Sequence, residues 1–408
     1  MKKYTSTNKC RISGNNTKKI LNLGIQPLAN SLKKTKKNKE LKVRLSISYC
    51  AESSLLQLDQ TVNKNILFDK YVWVTGTGKM TREYADIFFK RINRLNKLEK
   101  SDLILEIASN DGTFLKPFIN SGFNNVLGVD PAKNIAKIAN KNGIKTINDY
   151  WNTNFAKKLV RRHGPAKFIF ARNVIPHVSN LQDVIKGIKY SLNTKGIGAI
   201  EFHDASHIQK KLQYDSIYHE HLCYFSIKSI SYLLKKYDLY PFEIFNSPIN
   251  SGNRLIIFSN KPYIISKRLK KLIEDEKENK VNTLNSWINF ANKAKEHKLQ
   301  FINLLKQNRN LVVVGFGSSA RSQTLLNYCN IDNSLISAII DNNKLKQGFY
   351  TPGTNIPIVN INSGLKLKPN IIVILAWNFK NEIIQLCRSK GFKGKFILPL
   401  PNKPKVIS

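Results

Sequence analysis

Four side chains capable of acid–base chemistry stand in a row near the middle of the chain: Tyr218, His219, Glu220 and His221. A histidine with an ordinary pKa of about 6.5 can remove a proton at neutral pH. A neighbouring carboxylate can orient the imidazole, and Tyr or His donors can stabilise an oxyanion. Because aromatic residues such as Tyr224 follow at once, we favour a catalytic site over a polar surface turn.

The same run is also compatible with a metal site. In an extended segment His219 and His221 point the same way, as two metal ligands can. No third ligand follows at a recognisable spacing, which favours acid–base chemistry. Two further histidines, His203 and His207, precede the run, and for them a supporting role and a surface position remain equally open.

A second candidate site is the turn that follows the strand-like run LEIA. Asn110, Asp111 and Gly112 stand where a strand passes into a helix, so backbone N–H groups can face a ligand there. The turn is not GxGxxG, which disfavours a dinucleotide. Glu106 and Asp111 suit the sulfonium and ammonium charges of S-adenosylmethionine, and Asp130 suits the two ribose hydroxyls of an adenosine. The alternative is an ordinary α/β turn with a surface acid.

Alternating strands and helices must position these residues. The predicted strands of the first series are at 103–108, 126–130, 168–172 and 198–202, with helices such as 131–143 and 181–192 between them. After a long helical stretch at 266–308, a second series has strands at 311–317, 336–342, 371–377 and 395–400. Such alternation is typical of parallel, doubly wound sheets.

The predicted fold class is therefore α/β, with two Rossmann-like doubly wound units behind a small β-rich N-terminal domain. We expect domains at 1–80, 81–262 and 263–408, the last one including the helical stretch. The short strand-like pieces and the Gly and Pro punctuation of the first 80 residues indicate the β-rich domain.

Composition narrows the possible partners. The 408 residues carry a net charge of +39, yet the lysines are spread over the whole chain and no zinc finger, helix-turn-helix or RNA-binding motif accompanies them. We therefore predict no nucleic-acid partner. No apolar run reaches 18 residues, which predicts no membrane span, and the first residues lack an apolar signal core. Five scattered cysteines do not indicate a disulfide scaffold, so we expect a cytoplasmic protein.

Several of these segments resemble the sugar C-methyltransferases of antibiotic and bacterial surface-polysaccharide pathways. The resemblance runs through the whole chain, and it is carried by LEIASNDGTFL, GVDPAKNIA, FARNVIPHV, IEFH, DSIYHEHLCYFS and PGTNIPI. It implies an S-adenosylmethionine-dependent enzyme that methylates the carbon alpha to the ketone of a nucleotide-diphosphate keto-deoxysugar. The nucleotide (dTDP, CDP or GDP), the sugar, the carbon, the pathway and the oligomeric state stay open.

The resemblance implies roles for individual residues. His221 is the general base, Glu220 and Tyr218 support it, and His177, from the loop after another strand, faces the same site. The implied cofactor-binding residues are Glu106, Ser109, Asn110, Asp111, Gly112, Asp130 and Asn173.

Two departures from the family pattern, at Ala108 and Trp73, concern the cofactor turn and the sugar. Ala108 stands where the family usually has glycine, which adds a methyl group close to the cofactor. Tyr71 lies in a stretch that reaches the sugar in the family, and we expect it to contact substrate. Trp73 replaces a phenol of that stretch with an indole, which donates a hydrogen bond but cannot accept one.

The N-terminal domain also departs from the family, which binds one structural zinc through two CxxC pairs. Here the first motif reads Cys10-x-x-Ser13 and the second reads Cys50-x-x-Ser53, so each motif has lost its second cysteine. A serine hydroxyl stays protonated near neutral pH and is a poor zinc ligand, so we predict that no zinc is bound.

The resemblance places a nucleotide-sugar site in the C-terminal domain. The turn in VVVGFGSSAR offers Gly315, Gly317 and Ser318 to a diphosphate, and Arg321 could bind phosphate through two donors. Arg254, in a variant of a glycine-rich family motif, is a further candidate. The alternative is that this unit serves only as a scaffold.

Two other functions remain open. One is a methyltransferase of the same fold that acts at oxygen or nitrogen, which would not need a strong base. The other is an NAD-dependent oxidoreductase that uses the C-terminal turn, although Ala320 stands at the third glycine position of GxGxxG there.

Overall fold

The computed structural model describes residues 2–68, 74–249 and 252–407. Its N-terminal unit consists of short elements: β1 Tyr4–Ser6, β2 Lys18–Pro27, β3 Lys42–Tyr49, β4 Leu56–Leu58, β5 Gln60–Val62 and helix α1 Lys64–Phe68. Strands β2, β3 and β4 form an antiparallel sheet, while β1 pairs with β5. Leu45 and Ile47 alternate along β3 and are buried, as expected for a strand with one face on a core.

The central unit alternates strands and helices: α2 Lys79–Leu95, β6 Ile104–Ile107, α3 Lys116–Asn120, β7 Val126–Val129, α4 Lys133–Lys141, β8 Thr146–Ile147, α5 Thr153–His163, β9 Ala166–Arg172, α6 Leu181–Ser191, β10 Leu192–His203, α7 Ala205–Lys210, β11 Cys223–Tyr224, α8 Ile227–Lys235, β12 Tyr240–Asn246 and β13 Asn253–Ser259. Its sheet has the order β12–β13–β10–β9–β6–β7–β8. Only β13 runs antiparallel to its neighbours. The four predicted strands lie at its centre, where apolar side chains are covered on both faces.

Strand β11 is not part of that sheet. It pairs antiparallel with β4 and extends the N-terminal sheet to the order β11–β4–β3–β2. The chain therefore leaves the central unit after α7, adds two residues to the N-terminal sheet and returns at α8. The YHEH run lies on this excursion.

The C-terminal unit holds the second predicted alternation: α9 Lys267–Glu278, α10 Leu284–Gln307, β14 Val313–Phe316, α11 Ala320–Tyr328, β15 Ala338–Ile340, β16 Ile358–Val359, α12 Ile361–Lys366, β17 Ile371–Ile374, α13 Lys380–Ser389, β18 Lys395–Leu398 and β19 Lys405–Ile407. Its sheet has the order β16–β15–β14–β17–β18–β19, parallel except for β19. These sheets confirm the predicted fold class.

The helical stretch predicted at 266–308 is two helices. Ser266 and Thr283 each accept a hydrogen bond from a backbone N–H of the following helix, so each side chain caps an N-terminus. Among the described residues, no helix combines the length and the apolarity that crossing a membrane requires.

The PGTNIP segment joins the N-terminal and C-terminal units. The Glu40 carboxylate accepts the Gly353 N–H at 2.8 Å, and Lys33 Nζ donates to Asn355 Oδ1 at 2.7 Å. Gly353 has φ +77°, and a Cβ there would lie 2.0 Å from Asn327 Oδ1, so only glycine fits. This motif thus has a docking role between the two units.

Candidate active site

The cofactor turn follows β6 and is tightly wound. Ala108 has φ +53°, Asn110 has φ +52° and Gly112 has φ +77°. Left-handed backbone is usual for glycine and tolerated by asparagine, but it strains alanine. The departure noted at residue 108 therefore falls on a position whose conformation favours glycine.

Asp130 closes the next strand beside this turn. Its carboxylate accepts the Asn110 N–H and the Ala132 N–H, both at 2.8 Å. Burial raises the pKa of Asp130, and these two backbone donors oppose that shift. The structure thus brings Asp130 and the turn together.

Glu106 lies at the end of β6 and is buried. Its Oε2 and the hydroxyl of Ser109 have no hydrogen-bond partner among the described residues. Burial raises the pKa of Glu106 well above its ordinary value, and the nearby Arg172 opposes this. A buried, unpartnered carboxylate oxygen fits a cationic ligand, so these residues suit the sulfonium and ammonium groups of S-adenosylmethionine.

Asp111 is placed differently. Its Oδ2 accepts the Gly76 N–H at 3.0 Å, and its Oδ1 accepts the Thr113 hydroxyl at 2.7 Å. The Asn110 side chain likewise accepts the Thr75 N–H at 2.8 Å. Both side chains therefore hold the segment Thr75–Thr77 over the turn, a role that sequence reasoning missed. The chain itself supplies the partners of the Asp111 carboxylate that we had expected to face the cofactor.

Asn173 ends β9, which neighbours β6. It has φ +51°, its N–H donates to the Glu201 carbonyl at 2.9 Å, and its Oδ1 accepts from Asn253 at 2.9 Å. Asn173 and Glu106 thus lie at the carboxyl ends of adjacent parallel strands, where ligands bind in open α/β sheets.

An ion pair that the sequence did not reveal lies behind this edge. Arg172 Nε donates to the Glu201 carboxylate at 2.8 Å, and both side chains are buried. The guanidinium also stacks on Phe114, 3.1 Å from the ring centre. Burial raises the pKa of Glu106, and this positive charge opposes that shift.

His221 forms the centre of the second site. Its Nδ1 lies 3.2 Å from the Ser216 carbonyl oxygen, which can only accept, so Nδ1 carries the hydrogen. Its Nε2 therefore accepts from the Tyr218 hydroxyl, 2.7 Å away. Burial lowers the pKa of His221 well below the ordinary value, and the neighbouring His177 and His203 add to the shift. The imidazole is thus neutral at neutral pH.

His177 joins the same cluster. Its ring packs edge-on against His221 with 4.8 Å between ring centres, and its Nδ1 lies 2.8 Å from the Glu220 carbonyl oxygen. Burial lowers the pKa of His177 to about 4, although hydrogen bonds between the ring and the Glu220 and Asn173 backbone act to raise it. The structure therefore unites His177, His221 and Tyr218.

The other two members of the YHEH run point elsewhere. The Glu220 carboxylate accepts from Asn30 of the N-terminal unit at 2.6 Å, and burial raises its pKa. His219 Nε2 lies 3.1 Å from the Val43 carbonyl oxygen, in the same unit. These side chains attach the run to the N-terminal unit, so the Glu220 carboxylate is directed to Asn30 and away from the imidazole that it was expected to support.

A cavity of about 200 Å³ lies beside this cluster, between the central and N-terminal units. His177, Ser179 and Leu222 line it from the central unit. The N-terminal unit contributes Lys2, Tyr4, Thr5, Thr61, Val62, Asn63, Lys64 and Leu67. His177 is therefore both a wall of the cavity and a neighbour of His221. Tyr71 and Trp73 lie outside the described residues.

The C-terminal turn is occupied by the chain's own groups. The Gly317 N–H donates to the Ile340 carbonyl at 2.7 Å, and the Ser318 N–H donates to the Asp341 carboxylate at 2.8 Å. Gly315 packs inside the sheet, where a Cβ would lie 2.8 Å from Leu375. These N–H groups have intramolecular partners and the turn holds a carboxylate, so a diphosphate at Gly315, Gly317 and Ser318 stays a prediction and its binding would have to displace those partners.

Both candidate arginines are paired with buried carboxylates. Arg321 binds Asp215 through Nε at 3.1 Å and Nη2 at 2.9 Å. Arg254 Nε binds Asp204 at 3.1 Å. The structure thus gives each guanidinium an anionic partner within the chain, where we had expected substrate phosphate.

The four residues at the family's zinc position lie together. Cys10 Sγ is 3.1 Å from Ser53 Oγ, and Cys50 Sγ is 3.5 Å from Ser13 Oγ. Burial raises the pKa of Cys50, but hydrogen bonds from Ser13, Ser53 and Cys10 outweigh it and the net shift is downward. Two thiols and two hydroxyls do not fit a structural zinc ion, which wants four thiolate or imidazole donors. We call these four residues the Cys/Ser tetrad.

Comparison with known proteins agrees with this architecture. Three family models match the chain: a zinc-binding domain at 10–68, a methyltransferase domain at 78–243 and a C-methyltransferase C-terminal domain at 252–401. The C-methyltransferase NovU of Streptomyces niveus is 27% identical over 417 residues, covering 98% of this chain and 96% of NovU.

Solved structures resemble only part of the chain. The plantazolicin methyltransferase BpumL in complex with SAH is 14% identical, with a TM-score of 0.35 over 45% of this chain and 85% of that one. An S-adenosylmethionine-dependent methyltransferase from Anabaena variabilis is 17% identical, with a TM-score of 0.37 over 49% of this chain and 91% of that one. The strand order of the central sheet itself defines the fold.

The sheet order, the cofactor turn and the matched methyltransferase domain define an S-adenosylmethionine-dependent methyltransferase. With all three of its domains matched in order, the chain is similar to the C-methyltransferases over its whole length.

Proposed function

We propose that this enzyme methylates the carbon alpha to the ketone of a nucleotide-diphosphate keto-deoxysugar, through an enolate that the Tyr218–His221 pair generates. The observation that carries the proposal is the pair itself: a neutral imidazole whose Nε2 accepts from a phenol and whose ring packs against His177, a residue of the cavity wall. The family resemblance supplies the substrate class, and dTDP, CDP and GDP remain alternatives for the nucleotide.

The chemistry follows from the hydrogen-bond directions. As the alpha C–H bond breaks, the phenolic oxygen of Tyr218 takes the substrate proton and passes its own proton to His221 Nε2. Ser216 keeps the Nδ1–H in place, so the imidazolium that forms retains an acceptor. His177 lies in the cavity wall and packs against His221, so it would separate the substrate from the imidazole's far face. When bound, S-adenosylmethionine supplies the methyl group to the enolate carbon.

The cavity supports a charged acceptor. Lys2 and Lys64 are among its lining residues, which gives the cavity positive charge for a phosphate. The sugar ring would then lie against His177, with its alpha carbon toward the Tyr218–His221 pair.

The experiment that tests this function separates proton removal from methyl transfer. The enzyme is incubated in D2O with dTDP-, CDP- and GDP-linked keto-deoxysugars without cofactor, and deuterium at the alpha carbon is followed by NMR. We expect exchange with at least one sugar, its loss in His221→Ala, and incorporation of labelled methyl at the same carbon once cofactor is added. Methyl incorporation at oxygen or nitrogen without alpha exchange would instead establish the alternative methyltransferase.

A further inference from the structure

The segment before the YHEH run is attached to the C-terminal unit. The Tyr214 hydroxyl lies 2.8 Å from His297 Nδ1, and Thr324 Oγ1 donates to the Ile217 carbonyl at 2.9 Å. Between these contacts lies Asp215, which is 1% exposed. The short turn Tyr214–Ser216 is therefore held from outside its own unit.

Three donors of the C-terminal unit converge on the Asp215 carboxylate. Arg321 contributes Nε and Nη2, and Trp377 Nε1 donates to Oδ2 at 2.9 Å. The guanidinium also lies over the indole, 4.7 Å from the ring centre. A buried carboxylate with two guanidinium donors and an indole donor has a fixed orientation, because each donor approaches from its own direction.

Asp215 is one residue from the atom that selects the tautomer of the base. The next residue, Ser216, offers its carbonyl oxygen to His221 Nδ1, and that contact leaves Nε2 as the acceptor. If the carbonyl turned away, Nδ1 would lose its acceptor and the hydrogen could move to Nε2. An imidazole with the hydrogen on Nε2 cannot receive the Tyr218 proton.

We propose that Arg321, Asp215 and Trp377 form a positioning element through which the C-terminal unit orients the Ser216 carbonyl and thereby keeps His221 in its basic tautomer. The proposal rests on the proposed function, in which the Tyr218–His221 pair removes the proton. In this proposal Arg321 helps to position the base His221, whereas the sequence had suggested that Arg321 binds the diphosphate of the substrate.

Three variants test this proposal. Arg321→Lys keeps the charge but loses the two-donor geometry, Asp215→Asn removes the carboxylate charge, and Trp377→Phe removes one donor and is the mildest change. Arg268→Lys is the matched control. Arg268, on helix α9, also forms an ion pair with a carboxylate, that of Glu243 on β12 at 2.9 Å, but its side chain is exposed. S-adenosylmethionine binding by calorimetry shows whether each variant is folded.

The first readout is the ¹⁵N NMR spectrum of the imidazole nitrogens. The chain has seven histidines, and His221→Ala identifies the signals of His221. We expect the Nδ1–H tautomer in the wild type and in Arg268→Lys, and a mixture with the Nε2–H tautomer in the three variants. Unchanged signals in all three would overturn the proposal, and this measurement needs no sugar.

The second readout measures kcat and KM separately, with the most rapidly methylated keto-deoxysugar of the panel as substrate. A misplaced base lowers kcat and the alpha-exchange rate by up to about 10²-fold, while KM stays within about twofold. A raised KM with unchanged kcat in Arg321→Lys would restore the diphosphate role and overturn the positioning role. If His221→Ala keeps alpha exchange, the proposed function fails, whereas loss in His221→Ala alone refutes only the positioning element.

Discussion

The hydroxyl of Tyr218 lies 2.7 Å from Nε2 of His221, only three residues further along the chain. The two rings are tilted against each other with 4.0 Å between their centres, so the contact is short and its geometry is set locally. At this distance the hydroxyl and the imidazole can exchange a proton directly, so a substitution of either group affects the other.

Tyr218→Phe removes the proton that would pass to Nε2 and leaves the ring in place. We expect kcat/KM and alpha exchange to fall about 10²- to 10⁴-fold, the range typical of a lost acid–base group. Tyr232→Phe is the control, because the Tyr232 hydroxyl donates to the exposed Glu52 far from the cluster. Nearly wild-type exchange in the Tyr218→Phe enzyme would show that His221 acts without the phenol.

The pH profile follows from the burial of the imidazole. Because burial lowers the pKa of His221, the ring becomes protonated only when the pH falls through that lowered value. We expect kcat/KM to stay flat down to below about pH 6.5, the ordinary histidine pKa, and to decline only in more acidic solution. A profile measured from about pH 5 to pH 9 that declines already above pH 6.5 would contradict this assignment.

Cofactor binding is expected to depend on pH through Glu106. Burial raises the pKa of this carboxyl, and a cationic ligand stabilises its ionised form, so binding releases a proton. The affinity for S-adenosylmethionine should therefore rise as the pH rises through the raised pKa. Calorimetry over pH should show this rise in the wild type and in Glu99→Gln, whose side chain is exposed before the same strand, but not in Glu106→Gln.

Ala108→Gly should stabilise the enzyme. The residue has φ +53°, and left-handed backbone costs an alanine about 1 kcal/mol relative to glycine. We expect Tm to increase by about 2 °C, with cofactor affinity equal or higher. Ala171→Gly is the matched control: this buried alanine lies inside β9, where glycine lowers stability. A lower Tm in Ala108→Gly would be inconsistent with strain at the turn.

The Cys/Ser tetrad can be converted into a metal site. Ser13→Cys with Ser53→Cys would bring four thiols to positions where thiols and hydroxyls now lie 3.1 to 3.5 Å apart. We expect the double variant to bind one zinc ion per chain and to lose stability with a chelator, and the wild type to do neither. The double alanine variant controls for loss of the hydroxyls. Zinc in the purified wild type at one ion per chain would refute the expectation.

Apolar runs predicted the fold because buried parallel strands need them. The cores of β6, β7, β9 and β10 lie where the sequence indicated, and the cofactor turn follows β6 as expected. The YHEH run was predicted as a candidate site on local grounds too, since four adjacent polar residues before two aromatic ones are difficult to explain as a surface turn. In each case the prediction needed only the residues of the segment itself.

Other features left no local signal. Asp215 and Arg321 are far apart in sequence, and nothing around Asp215 indicates that its partner lies in another unit. Strand β11 has only two residues, too few to show an alternating pattern. The side-chain directions of Glu220 and His219 could not be predicted either. The sequence of four adjacent polar residues does not indicate which of their side chains contact the N-terminal unit.

Strand β11 has a consequence for the order of synthesis. The N-terminal sheet receives its fourth strand from residues that the ribosome makes only after most of the central unit. The same excursion is then fastened by Arg321 and Trp377, which are translated later still. A nascent chain can thus assemble its cofactor turn early, but the segment that carries Tyr218 and His221 is held in place only when the last unit has emerged and folded.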